Sequence, residues 1–259
     1  MSFKEVLQSW DWENKNNPTQ KTFSNNLYKM DMKKLKQKID SLRNCFKEYE
    51  TREISLRNEE NEAITFSIVK TDNENFSIYR KEEAIERVIV CSDKNKFYNQ
   101  ITLTNGKENI DLIEIQDNKV IIYELKAENG SDSPIFALIE LLKNYELFKK
   151  AKKLDEKLKN KEIELVILAP KEYYDIYFKN EKVKEKFQEL LNLFDEKISL
   201  KTINFNSDDV LDKLQDKIDE EGWDKPSKET KQYDEIKKVE DKIVIQVSKE
   251  LNPKIEIYQ

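Results

Sequence analysis

Residues 108–130, ENIDLIEIQDNKVIIYELKAENG, decide the fold of this chain. Two apolar stretches flank the dipeptide Asp117-Asn118, whose residue types tolerate positive φ and therefore suit a two-residue hairpin turn. Such a turn pairs Ile115 with Val120 and fixes the register of every other pair in the hairpin. The stretch therefore predicts two antiparallel strands of a sheet.

The same register places two acids face to face at the end of the hairpin away from its turn. Asp111 and Glu124 lie directly opposite in it, and Lys126 points to the same face two residues later. Opposed carboxylates repel each other, and a divalent cation reverses the sign of that interaction. The pattern predicts a metal site, and the alternative is a surface cluster in which Lys126 neutralises both acids.

The composition of the chain excludes several classes of site. Its 259 residues include no His and only 3 Gly. Ser–His–Asp catalysis, His-ligated zinc sites and Gly-rich phosphate loops are therefore excluded. Two cysteines, Cys45 and Cys91, are too few and too far apart for a zinc or iron–sulfur site, and reduced cysteines are the default in the cytoplasm.

The charge balance and hydropathy of the chain bound its surroundings. A net charge of −6 argues against attachment to nucleic acid by bulk charge alone. No apolar run has the roughly 20 residues of a membrane span. We therefore expect a cytoplasmic protein that does not bind membranes.

The order of the predicted elements indicates an α/β fold, a mixed sheet with helices on its faces. Ser133 and Pro134 mark the start of a long helix after the hairpin. Residues 1–78 are predicted to form an N-terminal helix and strand elaboration, 79–220 the core, and 221–259 an extension that fits helix and strand equally. Further helices are predicted over 31–49, 81–90, 172–178 and 183–194, and strands over 53–56, 63–69, 76–80, 98–104, 162–170 and 198–205.

Asp111 followed by Glu124-Leu125-Lys126 resembles the PD-(D/E)xK nuclease superfamily, which has the restriction-endonuclease-like fold. In that pattern an Asp opens one strand and Glu-x-Lys follows in the next. Ile110 replaces the Pro of the motif's name, at a position that varies. The element order over residues 80–206 is similar to that of the family.

The resemblance implies a set of site residues. Asp111, Glu124 and Lys126 would be catalytic, with Asp111, Glu124 and the backbone carbonyl of Leu125 as metal ligands. The first helix of the core often adds a Glu, and Glu82 is our choice. The helix after the motif often carries Gln and, four residues on, Tyr; this chain has Glu140 and Asn144 there, with Tyr145 one place late, so that helix is assigned no role.

These features lead to one functional expectation and one rival. The expectation is a nuclease that uses Mg²⁺, with Mn²⁺ as a substitute, to hydrolyse phosphodiester bonds in nucleic acid, with DNA preferred. The rival is a catalytically inactive nuclease-fold module that binds nucleic acid or protein. A homo-oligomer or a partner protein of a defence system is a further expectation, which rests on analogy of fold alone.

Overall fold

The chain forms an α/β structure in which helices flank a six-stranded mixed sheet. A computed structural model describes residues 27, 29–46, 49–54, 56, 69–72, 75–78, 80–105, 108–129, 132–151, 154–220 and 233–258. Most of the predicted N-terminal elaboration, including the strand over 63–69 apart from its last residue, lies outside these residues. Within them, no helix is both long and apolar enough to cross a membrane.

The strands of the main sheet lie side by side in chain order. They are β3 (Phe97–Thr102), β4 (Asn109–Ile115), β5 (Lys119–Leu125), β6 (Glu162–Pro170), β7 (Ile198–Ile203) and β8 (Ile255–Ile257). The two contacts of β6 are parallel and the other three strand pairs are antiparallel. A separate hairpin joins β1 (Val69–Asp72) to β2 (Asn75–Ile78). Because β6 is paired on both sides and covered on both faces, it reads as a continuous apolar run.

The register predicted for the central hairpin is confirmed. Ile115 pairs with Val120, and the amide of Gln116 donates to the carbonyl of Lys119 across the turn. The ladder continues to the pair formed by Leu112 and Tyr123. Asp111 and Glu124 occupy the next position, where the ladder has ended.

One layer of helices covers the sheet face formed by Ile113, Val120 and Ile122. It contains α1 (Met32–Cys45), α3 (Pro134–Lys149), α4 (Lys171–Tyr177) and α5 (Glu181–Leu191). Ser133 is the N-cap residue of α3 as predicted, but its hydroxyl makes no capping bond. Packing of its apolar stripe therefore stabilises α3 more than its cap does. The stripe includes Leu138, Leu141, Leu142, Leu147 and Phe148.

The second layer covers the opposite face with α2 (Lys81–Ser92), α6 (Ser207–Glu220) and α7 (Tyr233–Leu251). Glu128, which is 4% exposed, ties this layer to the segment after β5. Its carboxylate accepts from the Ser207 amide at 3.1 Å, the Ser207 hydroxyl at 2.5 Å and Lys81 Nζ at 2.6 Å. The N-termini of α2 and α6 are thereby held together beside the end of β5.

Two predictions for the flanking segments have clear outcomes. Residues 53–56 were expected to form a strand, but Ile54 makes only an isolated bridge to Leu154. The Asp155 side chain accepts from the Leu56 amide and the Asp155 amide donates to Ile54, so side-chain and loop bonds hold this segment. Of the two options for 221–259, helix is correct for 242–247 and strand for 255–257.

Candidate active site

The candidate site lies where β4 and β5 stop pairing. The Leu125 amide donates to Asp111 Oδ2 at 2.9 Å. An acidic side chain on one strand therefore bonds the backbone of the other, one position beyond the ladder. Asp111 is half-buried there, and the side chain of Leu125 is buried in the core as expected.

Lys126 is the central cation of the site. Its Nζ lies 2.8 Å from Glu124 Oε1 and 2.9 Å from Glu140 Oε2. Lys126 and Glu124 are each only 4% exposed, so this is a buried ion pair and not a solvated surface cluster. Removing one partner of such a pair leaves an uncompensated buried charge, which is costly.

Helix α3 contributes two side chains to the site, although the comparison with the motif assigns that helix no role. Glu140 binds Lys126, and the Asn144 amide donates to Glu124 Oε2 at 3.4 Å. Their i, i+4 spacing puts both side chains on the same face of α3, the face that is turned toward β5. Their positions in the sequence could have indicated this role, because they correspond to the Gln and Tyr that the PD-(D/E)xK pattern often has. Their residue types differ from that pattern.

Helix α2 approaches the site from the other layer through Glu82 and Glu86. Burial raises the pKa of Glu82 to about 7. The charge of Lys126 lowers this pKa and the charge of Asp111 raises it, but burial has the largest effect. Glu86 is 1% exposed, and the side-chain amide of Gln100 donates to its Oε2 at 2.9 Å and to its Oε1 at 3.1 Å. Burial, and then the charge of Asp111, raises its pKa well above the ordinary value.

Strand β3 is distorted beside Asp111. The ladder between β3 and β4 pairs Asn99 with Leu112 and Ile101 with Ile110, and omits Gln100 and Asp111 between them. Gln100 has φ of 50°, in the left-handed region that non-glycine residues rarely occupy. Such a conformation costs about 1–2 kcal/mol and is often found at functional sites.

Burial and repulsion from neighbouring acids make the two strand acids reluctant to ionise. Burial raises the pKa of Asp111 to about 6, although Lys126 and the Leu125 amide favour its charged form. Burial and the charge of Asp111 raise the pKa of Glu124 well above its ordinary value. Burial lowers the pKa of Lys126, but Glu124 and Glu140 outweigh it and raise that pKa well above the ordinary value.

The acids of the site outnumber its ammonium groups. Four carboxyl groups act on Lys126, those of Glu82, Asp111, Glu124 and Glu140, and Lys143 also acts on Asp111 and Glu140. Mg²⁺ commonly uses one or two carboxylates, with waters and substrate phosphates as its remaining ligands. Asp111 and Glu124 fit that donor set. The residues described include no group of three or more Asp, Glu or Cys side chains placed to hold a metal ion unaided.

The structure therefore brings together Asp111, Glu124 and Lys126, with the Leu125 amide bonded to Asp111 and Glu82 within their electrostatic reach. It adds Glu140, Asn144 and Glu86. Comparisons with protein-family models, curated proteins and solved structures found no significant match to this chain.

Proposed function

We propose that this chain is a metal-dependent nuclease that hydrolyses phosphodiester bonds, with DNA as the preferred substrate. The observation that carries the proposal is the meeting of Asp111, Glu124 and Lys126 where β4 and β5 separate. An exposed pair of acids would be unremarkable there. Two acids with raised pKa values beside a buried lysine suit a site that binds a cation and handles protons.

The proposal includes a restriction-endonuclease-like core. The PD-(D/E)xK pattern of the sequence supports it, as does a mixed sheet in which an antiparallel hairpin pairs with a parallel strand. The strained conformation of Gln100 beside Asp111 supports a functional site at this position.

Each residue has a role in the proposed reaction. Asp111 and Glu124 would hold Mg²⁺, assisted by the Leu125 carbonyl and Glu82. A metal held there would supply positive charge next to the scissile phosphate and would lower the pKa of a water molecule. Glu140 anchors Lys126, two of whose N–H groups point to Glu140 and Glu124. We expect the third to donate to the attacking water or to the phosphate oxygen on which charge develops.

The test is incubation with supercoiled plasmid, linear duplex DNA, single-stranded DNA and RNA, in Mg²⁺, in Mn²⁺ and in EDTA. Asp111→Asn and Glu124→Gln should each lower metal-dependent cleavage by at least about 100-fold, because they remove charged ligands without changing side-chain size. Asp117→Asn, in the exposed turn of the same hairpin, is the matched control. Full cleavage by Asp111→Asn would refute the mechanism.

One observation favours the rival, a nuclease-fold module without catalysis. Lys126 Nζ lies 2.8 Å from Glu124 Oε1, so Glu124 already has a cation beside it in the absence of a metal. Calorimetric titration with Mg²⁺ and Mn²⁺ discriminates between the two functions. Metal binding that disappears in Glu124→Gln supports the nuclease, and no binding to the natural sequence supports the rival.

A further inference from the structure

We propose that a cavity apart from the candidate active site, lined by Lys96, Lys119 and Lys201, binds a phosphate monoester of mononucleotide size. The cavity has a volume of about 330 Å³, within the lower part of the range of small-molecule sites. It is independent of the proposed nuclease activity, because it shares no lining residue with the acid site.

The cavity lies toward the other end of the central hairpin. Ile121 and Tyr123 of β5 line it, and both belong to the core that packs under α2, α6 and α7. Glu114 at its edge is three residues along β4 from Asp111, a separation of roughly 10 Å along the strand. Glu124 and Lys126 of the acid site point to the other face of the hairpin, where they contact α3. The two sites therefore occupy opposite faces of one hairpin.

Two buried glutamates position the lysines. Glu114 and Glu164 are each 5% exposed. Glu114 accepts from Tyr123 Oη and lies 2.9 Å from Lys96 Nζ. Glu164 lies 3.0 Å from Lys119 Nζ and 3.1 Å from Lys201 Nζ. Burial raises the pKa of Glu164, but its bonds to Lys119 and Lys201 outweigh this and lower that pKa, so the carboxylate stays charged.

The net charge around the cavity is positive and favours the binding of a dianion. A fourth lysine, Lys197, lies 3.7 Å from Glu164, so four ammonium groups contact two carboxylates. The cluster therefore carries a formal charge of +2. A phosphate monoester carries about −1.5 to −2 at pH 7, which matches it.

The volume of the cavity determines what the phosphate is attached to. Most of the lining exposed to the cavity is polar, and Lys96 Nζ already lies 5.2 Å from the centroid of the Phe97 ring. A cavity of about 330 Å³ is nevertheless larger than a phosphate ion, so it has space for a sugar and base attached to the phosphate. The combination of positive charge and volume favours a nucleoside monophosphate over inorganic phosphate.

Titration calorimetry in EDTA with adenosine 5′-monophosphate, adenosine and inorganic phosphate tests this assignment. We expect the monophosphate to bind, adenosine to give no measurable binding, and phosphate to bind more weakly than the monophosphate. The double variant Lys119→Met, Lys201→Met should weaken monophosphate binding by about tenfold or more, because charge-assisted bonds are lost. Lys213→Met, on the partly exposed side of α6 and outside the cavity lining, is the control and should bind as the natural sequence does.

Amide chemical-shift mapping of the natural sequence gives a second measurement that depends on no variant. Shifts concentrated at Phe97, Ile121 and Ile255 support the site. Shifts concentrated at Glu124 and Lys126 would overturn it, as would unchanged affinity in the double variant or no binding to the natural sequence. Equal affinity for phosphate and the monophosphate would overturn the assignment of ligand size.

Discussion

Replacing Asp111 by Asn should stabilise the metal-free protein at the expense of its proposed activity. The pKa of Asp111 rises from an ordinary 3.8 to about 6 on folding. A raised acid pKa contributes stability that is fully present below the unfolded value and is lost as pH rises through the folded value. At pH 8 the charged carboxylate therefore costs the folded state about 3 kcal/mol, and about half of that at pH 5.

Asparagine is the neutral analogue of the same shape, and its amide oxygen can still accept the Leu125 amide proton. The gain in the free energy of unfolding should therefore approach 3 kcal/mol at pH 8 and should be clearly smaller at pH 5. Urea unfolding in EDTA at both pH values measures it. Asp117→Asn, in the exposed turn of the same hairpin, should change that free energy by less than about 0.5 kcal/mol.

Two results would refute this reasoning. If Asp111→Asn is no more stable than the natural sequence at pH 8, burial does not oppose the charge of Asp111. If the gain is the same at pH 5 and pH 8, its cause is not the ionisation of this carboxyl group. A gain in the free energy of unfolding that grows with pH in the absence of metal would show that the charge of Asp111 destabilises the folded protein.

Three further predictions concern the metal, the buried lysine and the segment after β5. Mg²⁺ should raise the melting temperature more at pH 8 than at pH 6, because protons compete for Asp111 near its pKa of about 6; equal shifts would contradict this. Lys126→Met should lower the free energy of unfolding in urea by about 3–5 kcal/mol, because Glu124 and Glu140 lose the ammonium group that they contact. The control Lys213→Met should have little effect. A loss below about 1 kcal/mol for Lys126→Met would contradict the buried ion pair. Glu128→Gln should lower the free energy of unfolding by about 1–3 kcal/mol, because Ser207 loses a charged hydrogen-bond acceptor. Amide hydrogen exchange in the first turn of α6 should also become faster. Unchanged exchange would show that Glu128 does not hold the start of that helix.

The central hairpin was predictable because its determinants are local. Asp117-Asn118 fixes the turn, the turn fixes the register, and the register brings Asp111 to Glu124. The α/β arrangement followed from the alternation of apolar runs with helical stripes. Those patterns depend on neighbouring residues, so one sequence is sufficient to find them.

Other features depend on contacts between distant segments. The residues 242–247, KIVIQV, have strong strand propensity, yet packing of Val244 and Val247 with α2 favours a helix. Glu140 and Asn144 reach the site only because α3 packs on the sheet face that carries Glu124 and Lys126. The left-handed Gln100 within β3 has no signal in residue type, since glutamine does not favour positive φ.

The short hairpin connection also has a kinetic consequence. Asp111 and Glu124 are only 13 positions apart in sequence, so they meet as soon as the hairpin closes, an event of microseconds in isolated hairpins. Their repulsion therefore acts on the folding transition state if the hairpin belongs to the folding nucleus. In that case acid pH, or Asp111→Asn, should raise the refolding rate and leave the unfolding rate nearly unchanged.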